Sequence, residues 1–517
     1  MKRSVALNGL ELWIYFCGWT GGIIIGMYHL YLHSSSYFRY YDDVYGDFSP
    51  GWKWIGGKRD TADPEWRIWI PLLYRILPWA CVQIFIGQIV KYFFSSMLLC
   101  CWYIVISLTF LWSFVGSPAI IFLLIHPTLA WLLVPLRSKI ILWTLHVSCL
   151  VVLNAVKSTD CIVQKWLELE EDEYNVLTVA LAWMQLKSIG FSFDNMAKYR
   201  CKSFDESFEE FVQILAYCLY LPTLFLGQLI LYNDFVNGIN TLYEKWTFKR
   251  VTSLILGLFR YLFWIFFTEF SLHFLYINIL HFHSELLHSF NSWALYGFGY
   301  CMGQYFLNKY VVVYGFSRVI ARAENIADLY TPKCIARIHL YSDMWKYFDR
   351  GLHNFLLRYI YLPVAGTKSA LQKVFASFLC FSLVYVWHGT QMFILTWSVL
   401  NFIGVTIESL ARTIGSTKIY IETQRKVMGP TNARRFHCIL ASPLLAMSAI
   451  SNFYFFGGQE IGNIFVRRIL GELSVCYPLV DSWKSFVTLL SVLYCCCQLS
   501  TELKIRDTKK SQPVKSD

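Results

Sequence analysis

One histidine is the strongest candidate for catalysis, because it lies in an apolar segment without a charged side chain. In the stretch Tyr385-Val-Trp-His-Gly, His388 follows Trp387 near one end of the segment, and apolar residues resume at Met392. A polar group at membrane depth is costly unless a partner satisfies it or the protein uses it. An imidazole can act as a general base, which typically contributes about 10²–10⁴ in rate. The alternative is a histidine that only makes hydrogen bonds in the core.

A second group of polar side chains lies upstream, in residues 343–362. Asp349 and His353 are at positions i and i+4, which share one face of a helix. Trp345 comes one turn before Asp349, and Asn354 directly follows His353. Two interpretations are open at this level: the polar face points into the protein, or an amphipathic helix lies at the membrane surface.

The amino-acid composition indicates which kind of secondary structure must hold these side chains. Hydrophobic residues make up 56% of the chain and charged residues only 15%, whereas soluble proteins carry about 25% charged residues. The runs 102–136 and 211–232 contain no Asp, Glu, Lys or Arg, and about 20 apolar residues suffice to span a bilayer. The sequence therefore predicts an all-α, polytopic membrane helix bundle with about ten to twelve membrane-embedded segments. No P-loop, Rossmann glycine pattern or nucleophile elbow is present in a usable context.

Helix-breaking residues interrupt the longest apolar run. Gly116-Ser117-Pro118 and Pro127 divide residues 102–136, which predicts two short or re-entrant elements. Irregular backbone at membrane depth must be buried in protein or line a cavity. A bundle that encloses a catalytic tunnel is one interpretation, and kinks caused by packing alone are the other.

The remaining sequence is organised as a single membrane domain followed by a short tail. Residues 1–501 are predicted to form this domain, beginning with an uncleaved first span behind Met1-Lys2-Arg3. The polar, lysine-rich residues 502–517 are predicted to be disordered and cytosolic. The net charge of +11 suits basic loops beside an anionic leaflet, and no nucleic-acid partner is predicted.

The two polar groups together resemble the signature of a known family. The pairing of Trp-x-x-Phe-Asp-x-Gly-Leu-His-Asn, at 345–354, with the downstream Trp-His-Gly resembles the membrane-bound O-acyltransferases. Within them, the signature region 334–460 is similar to the hedgehog acyltransferases of animals. The stretches that carry this narrower resemblance are 344–361, 401–408 and 451–462, with a weaker match at 188–194.

The resemblance implies a reaction and a compartment. The donor is expected to be palmitoyl-CoA, entering from the cytosolic side. The acceptor is expected to be a secreted signalling protein of the hedgehog type, with EGF-like ligands as further candidates. Palmitate would be attached to the amino-terminal cysteine of that protein through an amide bond. The reaction is expected in the membrane of the endoplasmic reticulum or the Golgi, where membrane lipid surrounds the enzyme.

The same resemblance implies roles for individual residues. His388 is expected to be the general base, and Asp349 to position the donor and the reaction chamber, although a direct contact with His388 is also open. Asn452 could donate to the thioester oxygen or be an amide satisfied by neighbouring backbone. The residues expected to line the substrate cavity are Trp345, His353, Asn354, Trp387 and Asn452.

Cysteines raise two further hypotheses. The hedgehog acyltransferases resemble this chain in having a cysteine at the place of Cys334, where a thiolate can ligate haem iron. Lys333 and Arg337 could favour the thiolate and meet the haem propionates, and the role of haem would be structural. An ordinary interfacial or S-acylated cysteine is the alternative. S-acylation is a further hypothesis for residues 495–497, against plain packing in the lipid.

Two rival functions stay open on the sequence. A histidine base could serve the hydroxyl of a lipid acceptor, such as a sterol, a diacylglycerol or a lysophospholipid. Outside enzymes, the chain could be a transporter or a non-catalytic scaffold. The presence of both Asp349 and His388 argues against the scaffold, because an inactive copy has no chemical need for them.

Overall fold

The computed structural model describes residues 7–39, 46–158, 162–196, 203–327, 329–366, 369–473 and 482–510. Nineteen α-helices account for most of these residues. Their bounds are α1 Gly9–Phe38, α2 Pro64–Phe93, α3 Ser96–Leu133, α4 Lys139–Ser158, α5 Ile162–Leu167, α6 Glu171–Met196, α7 Phe204–Leu219, α8 Tyr232–Ile239, α9 Phe248–Ser271, α10 Ile277–Phe282, α11 Ser292–Ala323, α12 Tyr341–Phe348, α13 Arg350–Leu356, α14 Leu362–Ala365, α15 Ala370–His388, α16 Met392–Gly415, α17 Lys418–Val427, α18 Pro430–Leu473 and α19 Ser482–Lys510.

The all-α membrane bundle predicted from composition is confirmed. Within the described ranges the only strands are β1 Phe48–Pro50 and β2 Lys58–Asp60, an antiparallel pair in which Phe48 lies opposite Asp60. Among the described residues, ten helices are long and apolar enough to cross a bilayer. This number agrees with the ten to twelve membrane-embedded segments predicted.

The break predicted in the longest apolar run lies at Gly116. Its φ of 75° and ψ of 173° interrupt α3 and divide the helix into two parts. Glycine adopts a positive φ without the steric penalty of a side chain. Gly458, with φ 77°, divides α18 in the same way. Pro118 and Pro127 lie within the second part of α3.

The apolar run 211–232 does not form one spanning helix. Helix α7 ends at Leu219, a short 3-10 turn follows, and irregular backbone leads to α8. Lys187 of α6 contacts the end of α7. Its ammonium donates to the carbonyl oxygens of Tyr217 and Cys218, both over 3.2 Å. The buried lysine thus satisfies backbone acceptors that the end of α7 leaves without an intrahelical donor.

The last helix corrects the predicted tail. Helix α19 continues to Lys510, so the disorder expected from residue 502 is wrong for 502–510. Charged side chains of this segment pair with the rest of the protein: Lys504 with Asp343 over 2.5 Å, and Glu502 with Arg434 over 2.9 Å. The prediction of disorder was based on the lack of apolar residues in this segment. In the structure, ion pairs attach the segment to the rest of the protein instead. Residues 511–517 and Met1-Lys2-Arg3 lie outside the described residues, and the cytosolic side of the tail stays a prediction.

Candidate active site

An internal cavity of about 330 Å³ lies between α1, α11, α12, α15, α16, α18 and α19. Its lining is mostly aromatic and aliphatic. Five of the residues predicted for the site border it together, although they come from three different helices and one helix junction: Trp345, Asp349, Trp387, His388 and Asn452.

His388 is the last residue of α15, and its ring is surrounded by aromatic side chains. The ring centroid lies 4.7 Å from that of Trp387, 5.1 Å from Phe455 and 5.5 Å from Trp397. Among the described residues, no group makes a hydrogen bond to the imidazole. The alternative of a hydrogen-bonded core histidine is therefore not what the structure shows, and the residue borders the cavity.

The end of α15 is fixed from the neighbouring helix α4. Asn154 donates to the carbonyl oxygen of Val386 over 2.6 Å. Lys157 donates to the carbonyl oxygens of Trp387, over 2.9 Å, and His388, over 3.4 Å. The last carbonyls of a helix have no intrahelical donor, and here two side chains of α4 supply the donors. The backbone that carries His388 is thus held in place.

Asp349 connects α12 to α13 and caps the second helix. Its Oδ1 accepts from the backbone N–H of Leu352 over 2.9 Å, and its Oδ2 accepts from the hydroxyl of Tyr314 over 2.9 Å. Burial raises the pKa of the Asp349 carboxyl above its ordinary value, although these two hydrogen bonds act in the opposite direction. No hydrogen bond joins Asp349 to His388, so the two groups meet only through the cavity that both border.

The prediction that His353 and Asn354 line this cavity is wrong. The i, i+4 argument assumed one continuous helix, but the backbone leaves the helical conformation at Asp349, with φ −126° and ψ 94°. As an N-cap, Asp349 turns toward the backbone N–H groups of α13 instead of sharing a helical face with His353. Leu352 is the residue of α13 that borders the cavity. His353 contacts Asn354, which is exposed.

Two tryptophans in the wall are fixed by side-chain amides. The indole N–H of Trp345 donates to Oδ1 of Asn401 over 3.0 Å, and that of Trp397 donates to Oδ1 of Asn452 over 3.3 Å. The Nδ2 group of Asn452 donates to the carbonyl oxygen of Ser448 over 2.9 Å. One of the two N–H bonds of this amide is thereby used, and the other has no hydrogen-bond acceptor among the described residues.

A second, more polar cavity of about 920 Å³ lies behind α13. Asn354, Gly351 and Arg350 border it, so the short stretch that follows Asp349 separates the two cavities. The guanidinium of Arg350 lies 3.8 Å from the centroid of the Tyr330 ring. The other cationic residues of the lining are Lys249, Arg250 and Arg322, and its acidic residues are Asp234 and Glu244.

The surroundings of Cys334 bear on the haem hypothesis. Cys334 is half-buried at the start of a 3-10 turn, next to Ile335, which borders the first cavity. Lys333 and Arg337 both contact Asp507, over 3.0 and 3.4 Å. They are therefore engaged with a carboxylate, and the expectation that they meet propionates is not supported. The described part of the chain holds no group of three or more His, Cys, Asp and Glu side chains suited to a metal ion.

The structure also bears on S-acylation at residues 495–497. Cys496 and Cys497 are buried in α19, and Cys495 is half-buried beside Gly18 of α1. A buried thiol is not accessible to an acylating enzyme. Cys496 and Cys497 are packed inside the protein, which agrees neither with S-acylation nor with a position that faces the lipid.

Sequence reasoning missed several residues that hold the site. Tyr314, Asn154 and Asn401 are polar side chains within apolar helices, and nothing in their spacing indicates which partner they meet. Lys157 carried a signal, because a charge at the end of an apolar run must find an acceptor. The partner itself is more than two hundred residues away along the chain.

The fold and the site together define a multi-pass membrane protein with an internal cavity bordered by an imidazole and a carboxyl group. The model of the family "MBOAT, membrane-bound O-acyltransferase family" matches residues 136–451, which is more than half of the 517 residues. The chain belongs to this family, and it is a membrane-embedded acyltransferase.

Individual relatives agree with this assignment. The chain is 28% identical over 473 residues to protein-cysteine N-palmitoyltransferase Rasp of Drosophila melanogaster, a match that covers 89% of this chain and 90% of the relative. It is 27% identical over 456 residues to protein-cysteine N-palmitoyltransferase HHAT of Mus musculus, covering 84% and 90%. Membrane-bound O-acyltransferase GUP2 of Saccharomyces cerevisiae is 24% identical over 210 residues, 38% of this chain and 32% of the relative. The first two matches confirm the resemblance to the hedgehog acyltransferases.

Proposed function

We propose that the protein transfers palmitate from palmitoyl-CoA to the amino-terminal cysteine of a secreted signalling protein. The observation that carries the proposal is the imidazole of His388, which has no hydrogen-bond partner among the described residues and borders the same apolar cavity as Asp349. Similarity to two protein-cysteine N-palmitoyltransferases over most of the chain supports the choice of a protein acceptor. The hedgehog type of ligand is the first candidate, and EGF-like ligands are the second.

The residues suit an acyl transfer from a thioester to an amine. The acceptor nitrogen attacks the thioester carbonyl, its proton passes to His388, and the bond between the carbonyl carbon and the sulfur breaks. The CoA thiolate leaves and receives the proton. Because the thioester is already activated, positioning is the larger task, and holding two reactants together can contribute about 7–11 kcal/mol. The free N–H of Asn452 is suited to stabilise the oxyanion.

The cavity behind α13 suits the polar part of the donor. CoA carries several phosphate groups, and Arg350, Lys249 and Arg250 supply cationic side chains on the walls. Arginine binds phosphate through paired N–H donors. With the nucleotide there, the pantetheine would pass Asp349, and the acyl chain would occupy the apolar cavity of about 330 Å³. Because cytosolic loops carry an excess of lysine and arginine, the cationic residues of this cavity support a cytosolic side for the donor, and the acceptor would approach from the lumen of the endoplasmic reticulum.

Haem remains a separate proposal that rests on one residue. A cysteine thiolate is one of the known axial ligands of haem iron, and Cys334 lies beside residues of the apolar cavity. Acyl transfer involves no redox step, so haem would have a structural role there.

The proposed function is tested with purified protein in detergent or nanodiscs, palmitoyl-CoA and three acceptors. The acceptors are a peptide with a free amino-terminal cysteine, the same peptide with its amine acetylated, and a lipid mixture of sterol, diacylglycerol and lysophospholipid. Mass spectrometry should find palmitate on the free peptide, stable to hydroxylamine as an amide is. Palmitate only on a lipid would establish the rival lipid acyltransferase. Palmitate on none of the three acceptors would contradict the proposed function.

A further inference from the structure

The stretch 401–408 of α16 meets the helix that leads to Asp349. Asn401, Gly404 and Glu408 are at positions i, i+3 and i+7, which lie on one face of a helix. All three are buried, with Asn401 and Glu408 only 2% and 4% exposed. Each contacts a different residue of α12. Asn401 makes a hydrogen bond to an indole ring, Gly404 allows a close approach, and Glu408 caps the helix.

Glu408 caps the beginning of α12. Its two carboxylate oxygens accept from the backbone N–H of Ser342 over 3.0 Å and from the Ser342 hydroxyl over 2.6 Å. The first N–H groups of a helix have no intrahelical acceptor, and a negative charge is favourable at this end of the helix. Arg412, one turn further along α16, pairs with the same carboxylate. The cap thus fixes where α12 starts.

Gly404 allows the two helices to approach closely. The Tyr341 ring lies against its backbone, and a Cβ added at Gly404 would come within 2.4 Å of two ring carbons. That distance is too short for any side chain, so a larger residue would push α12 away from α16. The ring is only 1% exposed and packed on all sides, so it has no free space to move into.

Asn401 fixes the second half of α12, opposite the end that Glu408 caps. Its Oδ1 accepts from the Trp345 indole over 3.0 Å, and its Nδ2 donates to the carbonyl oxygen of Trp397 over 2.8 Å and to Ser451 Oγ over 3.3 Å. One amide therefore connects α12, α16 and α18. Of the residues it touches, Trp345 and Trp397 border the cavity.

We infer that Asn401, Gly404 and Glu408 are positioning residues of the acyl transfer, which set the place of α12 and through it of Trp345 and Asp349. Helix α12 has only eight residues, and Asp349 is the residue that directly follows it. A shift of the helix would therefore carry Asp349 with it, and a misplacement of about 1 Å can cost about a hundredfold in rate. This inference rests on the proposed function, in which Asp349 positions the donor.

The test compares three variants with two references in the peptide palmitoylation assay. The variants are Asn401→Leu, Gly404→Ala and Glu408→Ala, and each should lower kcat by about ten- to a hundredfold or raise KM for palmitoyl-CoA equally. Glu408→Gln keeps an acceptor for the Ser342 N–H and should recover most of the activity. Leu410→Ala on the exposed side of the same helix, where Leu410 is 59% exposed, should change neither constant.

A double-mutant cycle of Asn401→Leu with Trp345→Phe separates positioning from general loss of stability. If Asn401 acts through Trp345, the two effects on kcat should be strongly non-additive, while the unfolding midpoints in detergent change little. Wild-type constants in all three variants, beside an inactive Asp349→Asn, would overturn the inference and leave the proposed function intact. Full activity of Asp349→Asn would instead remove the basis of the proposed function.

Discussion

Lys157 on α4 donates its ammonium group to the carbonyl oxygen of Trp387 over 2.9 Å, and so fixes the backbone next to His388. The two residues are far apart in the sequence, and the contact pairs polar groups of both helices. The ammonium group at the end of an apolar helix has hydrogen-bond acceptors, and the last carbonyls of α15 have a donor. The position of the proposed base thus depends on a helix that contributes no side chain to the cavity lining.

Lys157→Met should impair turnover more than donor binding. The change removes the donor from the carbonyls of Trp387 and His388, and an unsatisfied buried acceptor costs about 1–3 kcal/mol. We expect kcat to fall by about tenfold, the rate equivalent of 1.4 kcal/mol, with KM for palmitoyl-CoA near wild type. Lys157→Arg should recover much of kcat. The matched control is Lys139→Met, at the exposed beginning of the same helix. Equal losses in both methionine variants would contradict a specific role.

His388→Ala should abolish transfer and leave the protein folded. A general base contributes about 10²–10⁴ in rate, so activity should drop below about a hundredth of wild type. Size-exclusion profiles and unfolding midpoints in detergent should stay close to those of the wild type, because the aromatic neighbours remain. The matched histidine control is His353→Ala, outside the cavity lining, which should keep most of its activity. Turnover above about a hundredth in His388→Ala would exclude the role of base.

Asp349→Asn keeps the shape of the side chain and removes its charge. The amide oxygen can still cap α13, so stability should change little, while transfer should collapse if the charge positions the donor. Tyr314→Phe removes only the hydroxyl donor to Asp349, and its loss should be smaller, about tenfold in kcat/KM. Single-turnover kinetics with labelled palmitoyl-CoA would measure both. If donor affinity and turnover both survive in Asp349→Asn, the proposed role of Asp349 is wrong.

His339 should make the protein less stable in mild acid. Burial lowers the pKa of His339 to about 4, and the positive charge of Lys504 acts in the same direction. Between pH 4 and the ordinary pKa of about 6.5, the unfolded chain binds a proton that the folded chain does not, so stability falls as the pH falls through this window. His339→Asn should therefore lose less in its unfolding midpoint between pH 7.5 and pH 5 than the wild type does. An equal drop in the unfolding midpoint in both proteins would show that His339 does not cause the loss of stability in acid.

Haem at Cys334 has a direct spectroscopic readout. Protein purified after expression with sufficient haem supply should show a Soret band that is lost in Cys334→Ala. Cys301→Ala is the control, because Cys301 is buried in α11 and is not proposed to bind iron. A wild-type spectrum without the band would end the proposal. Acyl transfer by such haem-free protein would leave the proposed function unaffected.

The amino-acid sequence by itself determined the fold class and the residues that could react. Apolar runs long enough to span a bilayer are a property of composition, and they do not depend on which helices become neighbours. The same is true of the break at Gly116, because a positive φ is a local conformation. His388 and Asp349 were identifiable because polar groups in apolar or amphipathic segments require an explanation.

Only the tertiary structure decided which side chains share the cavity. Trp345 and Asn452 come together across more than a hundred residues, whereas His353 and Asn354, next to the signature aspartate, do not border the cavity. The reason is that spacing along a helix predicts a common face only while the helix continues, and the helix ends at Asp349. The partners Tyr314, Asn401 and Lys157 are set by packing between distant helices. The conformation of residues 502–510 also depends on the tertiary structure, because ion pairs with distant residues hold this part of α19 in place.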